Sequence, residues 1–328
     1  MAKSLAKSTL KCYASAWSMF TTFCSAYLLC PLPAQVSTIC AFIVFCFDTR
    51  HLQPAYIHKL IAGVQFYARI NKPDTLSFFS NPSIKLLLKG IAKSCPTSPD
   101  SRLPITLPIL HQLVSTVRRG YISPYLDKLL ETVFLTAFYG FMRCGEFTSP
   151  SPLFNPSVDL TLSDLTFSPS HFSIFLKHSK SDSLRHGTSV SISKLHGVFC
   201  PFSSMVEFIK LRHDRSPSSP LFLLPDGSPM YRQWFCSHLA AVLRRCNLPP
   251  TKYTAHSFRI GAATTAAHRG ISTSAIKLLG RWSSEAYASY IRPSCHQVLD
   301  AQRAIASTSG TATRQVAHYR CHVIPRGS

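Results

Sequence analysis

The chain has 328 residues, about twice an ordinary domain, and its 35 Lys plus Arg against 14 Asp plus Glu give a formal charge of +21. That basic excess goes beyond what solubility needs and points to a polyanionic partner, while 46% hydrophobic and 11% aromatic residues exclude a mainly disordered chain. No run approaches the ~20 apolar residues of a membrane span, and Lys3, Lys7 and Lys11 interrupt the first apolar segment, which argues against a secretory signal.

From Ser8 onward Leu10, Tyr13, Trp17, Phe20 and Cys24 recur at steps of three and four, the stripe of a helix capped by Ser8 or Ser4. Helical patterns follow over 36–47, 54–70 (opened by Pro54) and 83–92. Residues 1–95 therefore read as a small basic helical domain, with 10 Lys/Arg and 2 Asp/Glu. In it Lys7, Lys11, Lys85, Lys89 and Lys93 flank the apolar stripes, and the last three, spaced by four, make a basic ridge suited to tracking phosphates. The alternative reading of such a charge run is a solvated face.

CPTSPDSRLPITLP lacks periodicity and reads as a linker over 96–108, ahead of a second domain over 109–307 and a tail over 308–328 expected to be disordered. In the second domain helices are expected in ITLPILHQLVSTV and over 125–139, then again over 205–212, 231–246, 257–269 and 272–279. Between them the period changes to two, with Phe172, Ile174 and Leu176 before a polar turn and Val190 and Ile192 after it, which predicts a β-hairpin. The twelve cysteines never form C-x-x-C, so neither a zinc ligand set nor a disulfide framework is expected, and they read as reduced thiols of an intracellular protein.

Five strings carry groups able to handle a phosphodiester: GFMRCGEF (140–147), HSKSD (178–182), HSFR (256–259), LGRW (279–282) and YASYIR (287–292). Cleavage of a phosphodiester without a metal places extra charge on the non-bridging oxygens, and so calls for fixed arginine forks, further donors, a nucleophile and an acid. Arg143, Arg259, His256, Lys180 and a tyrosine supply that set. Taken singly, each has an ordinary reading. Arg143 could pair with Glu146 one turn on, His256 could cap the following helix, Lys180 could be a solvated turn lysine, and Trp282 could be core packing.

In order and spacing these residues resemble the tyrosine recombinase (phage integrase-like) family, from about Ser4 to Arg292. Arg143 with Glu146 three positions later matches the family's first motif, Lys180 its hairpin lysine, His256-x-x-Arg259 the second motif, and Trp282 the His/Trp position. The nucleophilic tyrosine follows, Tyr290 at eight positions from Trp282, with Tyr287 as its rival and Lys177 as the rival of Lys180. The strings SRLPIT, FLTAFYGFMRCGEFTSP, SKSD and GRWSSEAYASYIRP are similar to recombinases of eukaryotic mobile elements of the DIRS, Ngaro and Crypton kind.

The resemblance implies a mainly α fold, with a helical, SAM-like core-binding domain that closes over a DNA duplex opposite an α+β catalytic domain carrying a small hairpin or sheet. It implies a site-specific recombinase working through a 3′-phosphotyrosyl intermediate with no metal or other cofactor. Arg143 and Arg259 would clamp the scissile phosphate, and Glu146 would hold Arg143 or nearby backbone. His256 and Trp282 would donate to the phosphate, or His256 accept the phenolic proton, and Lys180 would protonate the 5′-oxygen. Double-stranded DNA, a dimer or tetramer on DNA, a helix within 293–307 docking on a neighbouring subunit, no membrane partner and a nuclear location complete the expectation. Two other readings stand beside it: a type IB topoisomerase-like relaxase, and an element-derived DNA-binding protein with a decayed site.

Overall fold

The computed structural model describes residues 7–95, 101–177 and 186–292, together with 5, 299, 302, 303 and 305. The chain divides into two units, Met1–Asp100 and Ser101–Ser328, each with its own apolar core. Among the described residues no helix is long and apolar enough to cross a membrane.

The first unit is helical: α1 (Lys7–Ala26), α2 (Val36–Val44), α3 (Pro54–Asn71) and α4 (Pro82–Ser94). The stripe on α1 faces inward, with Phe20 and Cys24 fully buried, Tyr13 against Phe66 at 5.4 Å and Trp17 stacked on Tyr67 at 5.7 Å. Ser8 is the second residue of α1 rather than its N-cap position, and Ser4 lies outside the described residues. The second helix does not run regularly to Phe47. Phe45–Thr49 is wound as a π-helical turn that keeps Cys46 in the core while Asp48 and Thr49 face solvent. Asn81 caps α4 by accepting from the Ser83 and Ile84 N–H groups at 3.0 and 3.3 Å. The exposed Lys85, Lys89 and Lys93 lie away from the buried Ile84 and Ile91, and Lys11 is exposed on α1. Lys7 belongs to α1, but its side chain lies outside the described residues.

In the second unit α5 (Leu107–Arg118), α6 (Pro124–Tyr139) and a single turn α7 (Cys144–Phe147) precede a sheet of β1 (Leu165–Phe167), β2 (His171–Leu176) and β3 (Thr188–Ser193). Then come α8 (Pro201–Leu211), α9 (Arg232–Arg245), α10 (Ser257–His268), α11 (Thr273–Gly280) and a 3-10 turn over Glu285–Tyr290. The fold is thus mainly helical with one small antiparallel sheet. That 3-10 turn carries both Tyr287 and Tyr290.

Helix α6 is the centre of this unit and packs against α5, α8 and α10. Leu129, Leu130, Val133, Phe134, Leu135 and Ala137 are all fully buried, as expected of a helix apolar on nearly every side. Each such Leu or Phe contributes about 1.5–3 kcal/mol of transfer free energy. The period-two residues Phe172, Ile174 and Leu176 of β2 and Val190 and Ile192 of β3 face this core, in the register Phe172↔Ile192 and Ile174↔Val190. On the opposite face Ser173 and Ser191 hydrogen-bond at 2.8 Å. Residues 178–185, between β2 and β3, lie outside the described residues, and Lys180 with them.

Part of the segment expected as linker belongs to the second unit. Leu103 N–H donates to the Lys252 carbonyl at 2.7 Å and Ile105 N–H to that of Ser257 at 3.0 Å, and Ile105 is fully buried. The strap can lie this close to α10 because residue 261 is glycine: a Cβ there would sit 1.7 Å from the Ile105 oxygen.

One buried carboxylate ties α5 to α6. Glu131 accepts from Arg118 Nε and Nη2 at 3.0 and 2.7 Å and from Lys128 Nζ at 3.0 Å. Burial works against its charge, but those hydrogen bonds outweigh it and hold the Glu131 carboxyl below its ordinary value. Glu131→Gln is therefore expected to destabilise the protein at pH 7 by about 3 kcal/mol, the low end for breaking a buried pair because Arg118 keeps some hydration. A carboxyl whose folded pKa is depressed contributes stability above its unfolded pKa and loses it as pH falls through the folded one. Urea denaturation at stepped pH should show the gap between wild type and variant closing below the ordinary carboxylate range; a pH-independent gap would contradict the assignment.

Candidate active site

The chain leaves α6 through Phe141, whose φ of 48° is left-handed, and delivers Arg143 to the N-cap of α7. Three residues on, Glu146 turns back over it. Its Oε2 accepts the Arg143 backbone N–H and its Oε1 the Arg143 Nη1, both at 2.8 Å. The same carboxylate accepts Arg281 Nη2 at 2.8 Å. Arg281 comes from the end of α11, where a left-handed φ of 54° aims its side chain back toward α7, and its Nη1 donates to the Gly140 carbonyl at 3.0 Å. Glu146 is almost entirely buried, with 4% of its side chain exposed, so one desolvated carboxylate fixes two guanidiniums.

Arg259, at the third position of α10, is fully buried. Its Nη1 donates to the Phe141 carbonyl at 2.5 Å and its Nη2 to that of Gly280. A guanidinium carries five N–H groups, so these bonds leave further donors. Among the described residues the buried Nε atoms of Arg259 and Arg281 have no hydrogen-bond partner, a costly arrangement of the kind functional sites retain. Three guanidiniums against one carboxylate leave this cluster net positive. Burial first, then the neighbouring Arg143 and Arg281 charges, pull Arg259 below the ordinary arginine value; burial does the same to Arg281, with Glu146 opposing it.

Over this cluster lies an aromatic layer. The Trp282 ring covers the Arg259 guanidinium at 4.2 Å and stands 5.1 Å from the Tyr290 ring. Tyr290 is also 5.0 Å from the His256 ring and 5.6 Å from the Arg259 guanidinium carbon. Arg143, Arg281, His256, Trp282 and Tyr290 together line a cleft of about 630 Å³. His256 stands at the N-cap of α10 but makes no side-chain cap bond there, so capping is not its role. The two tyrosines part company: Tyr290 is half-buried in the cleft, whereas Tyr287 is 6% exposed and belongs to the core.

The rival lysine has other work. Lys177 Nζ pairs with Asp164 at 2.7 Å and donates to the Pro156 and Asp159 carbonyls at 2.8 and 3.1 Å, which ties the end of β2 to the preceding loop. Three cations that line the cleft are not marked by the sequence pattern, Arg102, Arg232 and Arg281. Arg281 sits inside LGRW, beside the residue that string was chosen for, and a Gly-Arg pair ending an apolar helix was its only signal. Among the described residues no group of three or more His, Cys, Asp or Glu side chains is placed to hold a metal.

No family model matches the sequence. The chain is 26% identical over 303 residues, covering 86% of it and 80% of the relative, to an integrase/recombinase XerD homolog of Selenomonas ruminantium. Its fold is similar to the XerH site-specific recombinase bound to its difH substrate (TM-score 0.64, 16% identity, 90% of this chain and 80% of that one). It is similar also to the Tn1549 transposon integrase in complex with circular-intermediate DNA (TM-score 0.56, 14% identity, 90% and 98%), and to a λ integrase dimer bound to a core site (TM-score 0.55, 14% identity, 88% and 72%). The fold is that of the tyrosine recombinases. The relative found by sequence is likewise named an integrase/recombinase.

Trp282 can lie where it does only because residue 280 is glycine: a Cβ there would fall 1.6 Å from the indole Cζ3. Gly280→Ala is thus expected to drive the indole off Arg259. With Trp17 and Trp234 replaced by Phe, the emission of Trp282 should shift to the red and become more open to acrylamide quenching. Unchanged emission would show that the glycine is not what seats the ring.

Proposed function

We propose that this protein is a site-specific DNA recombinase or integrase that cuts and rejoins DNA strands through a covalent phosphotyrosyl intermediate, with Tyr290 as nucleophile. The observation that carries the reading is the Tyr290 ring within 5.1 Å of both His256 and Trp282, in a cleft shared with Arg143 and Arg281. A guanidinium cluster of net positive charge, held rigid before any substrate arrives, suits the charge that builds on the phosphate oxygens as the phenol attacks. Arg143 and Arg281 face the cleft, and Arg259 adds its field from below.

In this mechanism the Tyr290 oxygen bonds to phosphorus while the bond to the 5′-oxygen breaks. His256 accepts the phenolic proton or donates to a non-bridging oxygen, since an imidazole offers both an acceptor and a donor nitrogen. Lys180 protonates the departing 5′-oxygen. The phosphotyrosyl link conserves the energy of the broken bond, so rejoining needs no nucleotide or metal. Duplex DNA is the substrate, and Lys7, Lys11, Lys85, Lys89 and Lys93 track its backbone. Each subunit cuts one strand, so two or four copies act together. The likeness of SRLPIT, SKSD and GRWSSEAYASYIRP to recombinases of eukaryotic mobile elements supports a mobile-element origin.

The test uses a library of nicked duplexes with randomised cores, which trap the covalent step because the short 5′-fragment diffuses away. Wild type and Tyr287→Phe are expected to give an SDS-resistant protein–DNA adduct, and Tyr290→Phe none. Arg143→Lys should keep DNA binding but slow adduct formation by about 10²-fold, as when a preorganised donor to a developing oxyanion is lost. Adduct from Tyr290→Phe, with none from Tyr287→Phe, would overturn the assignment.

A further inference from the structure

Two cysteines stand on the wall of the cleft, and the mechanism above uses neither. Cys144 is the first residue of α7, directly after Arg143, and Cys236 lies on α9; both line the cleft, with Arg232 beside them. The two side chains sit where α7 packs on α9, with the Phe147 ring 5.1 Å from that of Phe235, the neighbour of Cys236, and each thiol is the largest influence on the other's ionisation. Cys144 Sγ is also 3.6 Å from Thr148 Oγ1. Cys236 is exposed and Cys144 partly so, which leaves the pair open to small solutes.

The surroundings divide the pair into unlike halves. The neighbouring Cys236 is the largest influence on Cys144 and holds its thiol below the ordinary value against the cost of burial, helped by Thr148 and the Arg232 guanidinium. Cys144 and burial push Cys236 the other way. A thiol disposed to ionise and a neighbour that keeps its proton, with a cation in the same cleft, are the parts of an attacking and resolving pair. Cys200 is also held below its ordinary value, but at 2% exposure no solute reaches it.

We propose that Cys144 and Cys236 form a peroxide-reactive dithiol site whose disulfide form shuts down DNA cleavage. The Cys144 thiolate attacks one oxygen of hydrogen peroxide or an alkyl hydroperoxide. The O–O bond breaks, Cys144 becomes the sulfenic acid, and hydroxide or alkoxide leaves, stabilised by Arg232. The Cys236 sulfur then attacks the Cys144 sulfur, the S–S bond forms, the S–O bond breaks, and water carries away the hydroxyl with the Cys236 proton. The two sulfurs together lose two electrons and the peroxide gains them. The two sulfurs must come together to about 2.05 Å in a disulfide. That approach draws Cys144 toward α9 and moves the adjoining Arg143 from its seat on Glu146. Misplacement by about 1 Å is enough to cost 10²-fold in a positioned reaction. The effect on cleavage rests on the recombinase reading; the thiol chemistry does not.

The full-length protein is treated briefly with hydrogen peroxide, quenched with an alkylating agent and digested for mass spectrometry, and in parallel assayed for adduct on the nicked-duplex library. The Cys144–Cys236 disulfide is expected to form at least about 10-fold faster than the exposed Cys30 is oxidised, since thiolate character and not access alone sets the rate. Adduct yield should fall in step with disulfide and return with dithiothreitol. Cys236→Ser should give no disulfide and leave Cys144 trapped by dimedone. Oxidation of Cys144 no faster than Cys30 would overturn the site, and a fully formed disulfide with undiminished adduct would overturn the shutdown. If untreated protein makes no adduct at all, the recombinase reading fails, while disulfide formation still decides the dithiol site.

Discussion

A single carboxylate with 4% of its side chain exposed, Glu146, stands between two guanidiniums and a backbone N–H, and the geometry of the cleft follows from it. Arginines left to themselves would move apart, since unit charges about 4 Å apart repel by ~4 kcal/mol at an effective dielectric of 20. Bonding to one desolvated anion holds Arg143 and Arg281 within a common cleft and leaves net positive charge on its floor. Removing the carboxylate would leave that charge unpaired where hydration is poor, which is why the pair is better understood as a positioning device than as a source of stability.

The rest of the second unit keeps the three parts of this cluster in place. Arg143 and Glu146 leave α6 through the left-handed turn at Phe141, Arg281 arrives from the left-handed end of α11, and Arg259 rises from α10 beneath them. Arg259 bonds the carbonyls of Phe141 and Gly280, so it ties the exit of α6 to the end of α11. The rigidity has two sources behind it: α6 is buried on nearly all sides, and the Leu103–Ile105 strap is clamped against α10 at Gly261. Trp282 closes the stack by lying over Arg259 and against Tyr290. Packing thereby fixes the distance between a phenol and a positive cradle without any bound ligand.

Much of this was legible from sequence. Apolar periodicity placed the helices of both units to within a few residues, and the change to a period of two marked β2 and β3. What periodicity could not register were local twists: the π turn after α2, the 3-10 winding over Glu285–Tyr290 and the docking of Leu103–Ile105, each set by tertiary contacts. Arg143, His256, Arg259, Trp282 and Tyr290 could be singled out because their spacing matched a family pattern, and all five belong to the cleft or its floor. Arg281 was missed because its role depends on a left-handed backbone at a helix end, where the sequence shows only a cation after glycine. The pairing of Cys144 with Cys236 joins residues 92 positions apart, a proximity that only packing of α7 against α9 creates.

If Glu146 positions the arginines for a phosphate in transit, its charge matters to the bond-breaking step and little to the initial grip on DNA. The most direct test is single-turnover cleavage by Glu146→Gln, with DNA affinity measured on the same preparation and Arg143 and Arg281 otherwise intact. Loss of the anion that orients both guanidiniums predicts cleavage slower by about 10²-fold, the scale of a misplaced oxyanion donor, with the dissociation constant for DNA nearly unchanged. Cleavage at the wild-type rate, or affinity and rate falling together by the same factor, would contradict the account.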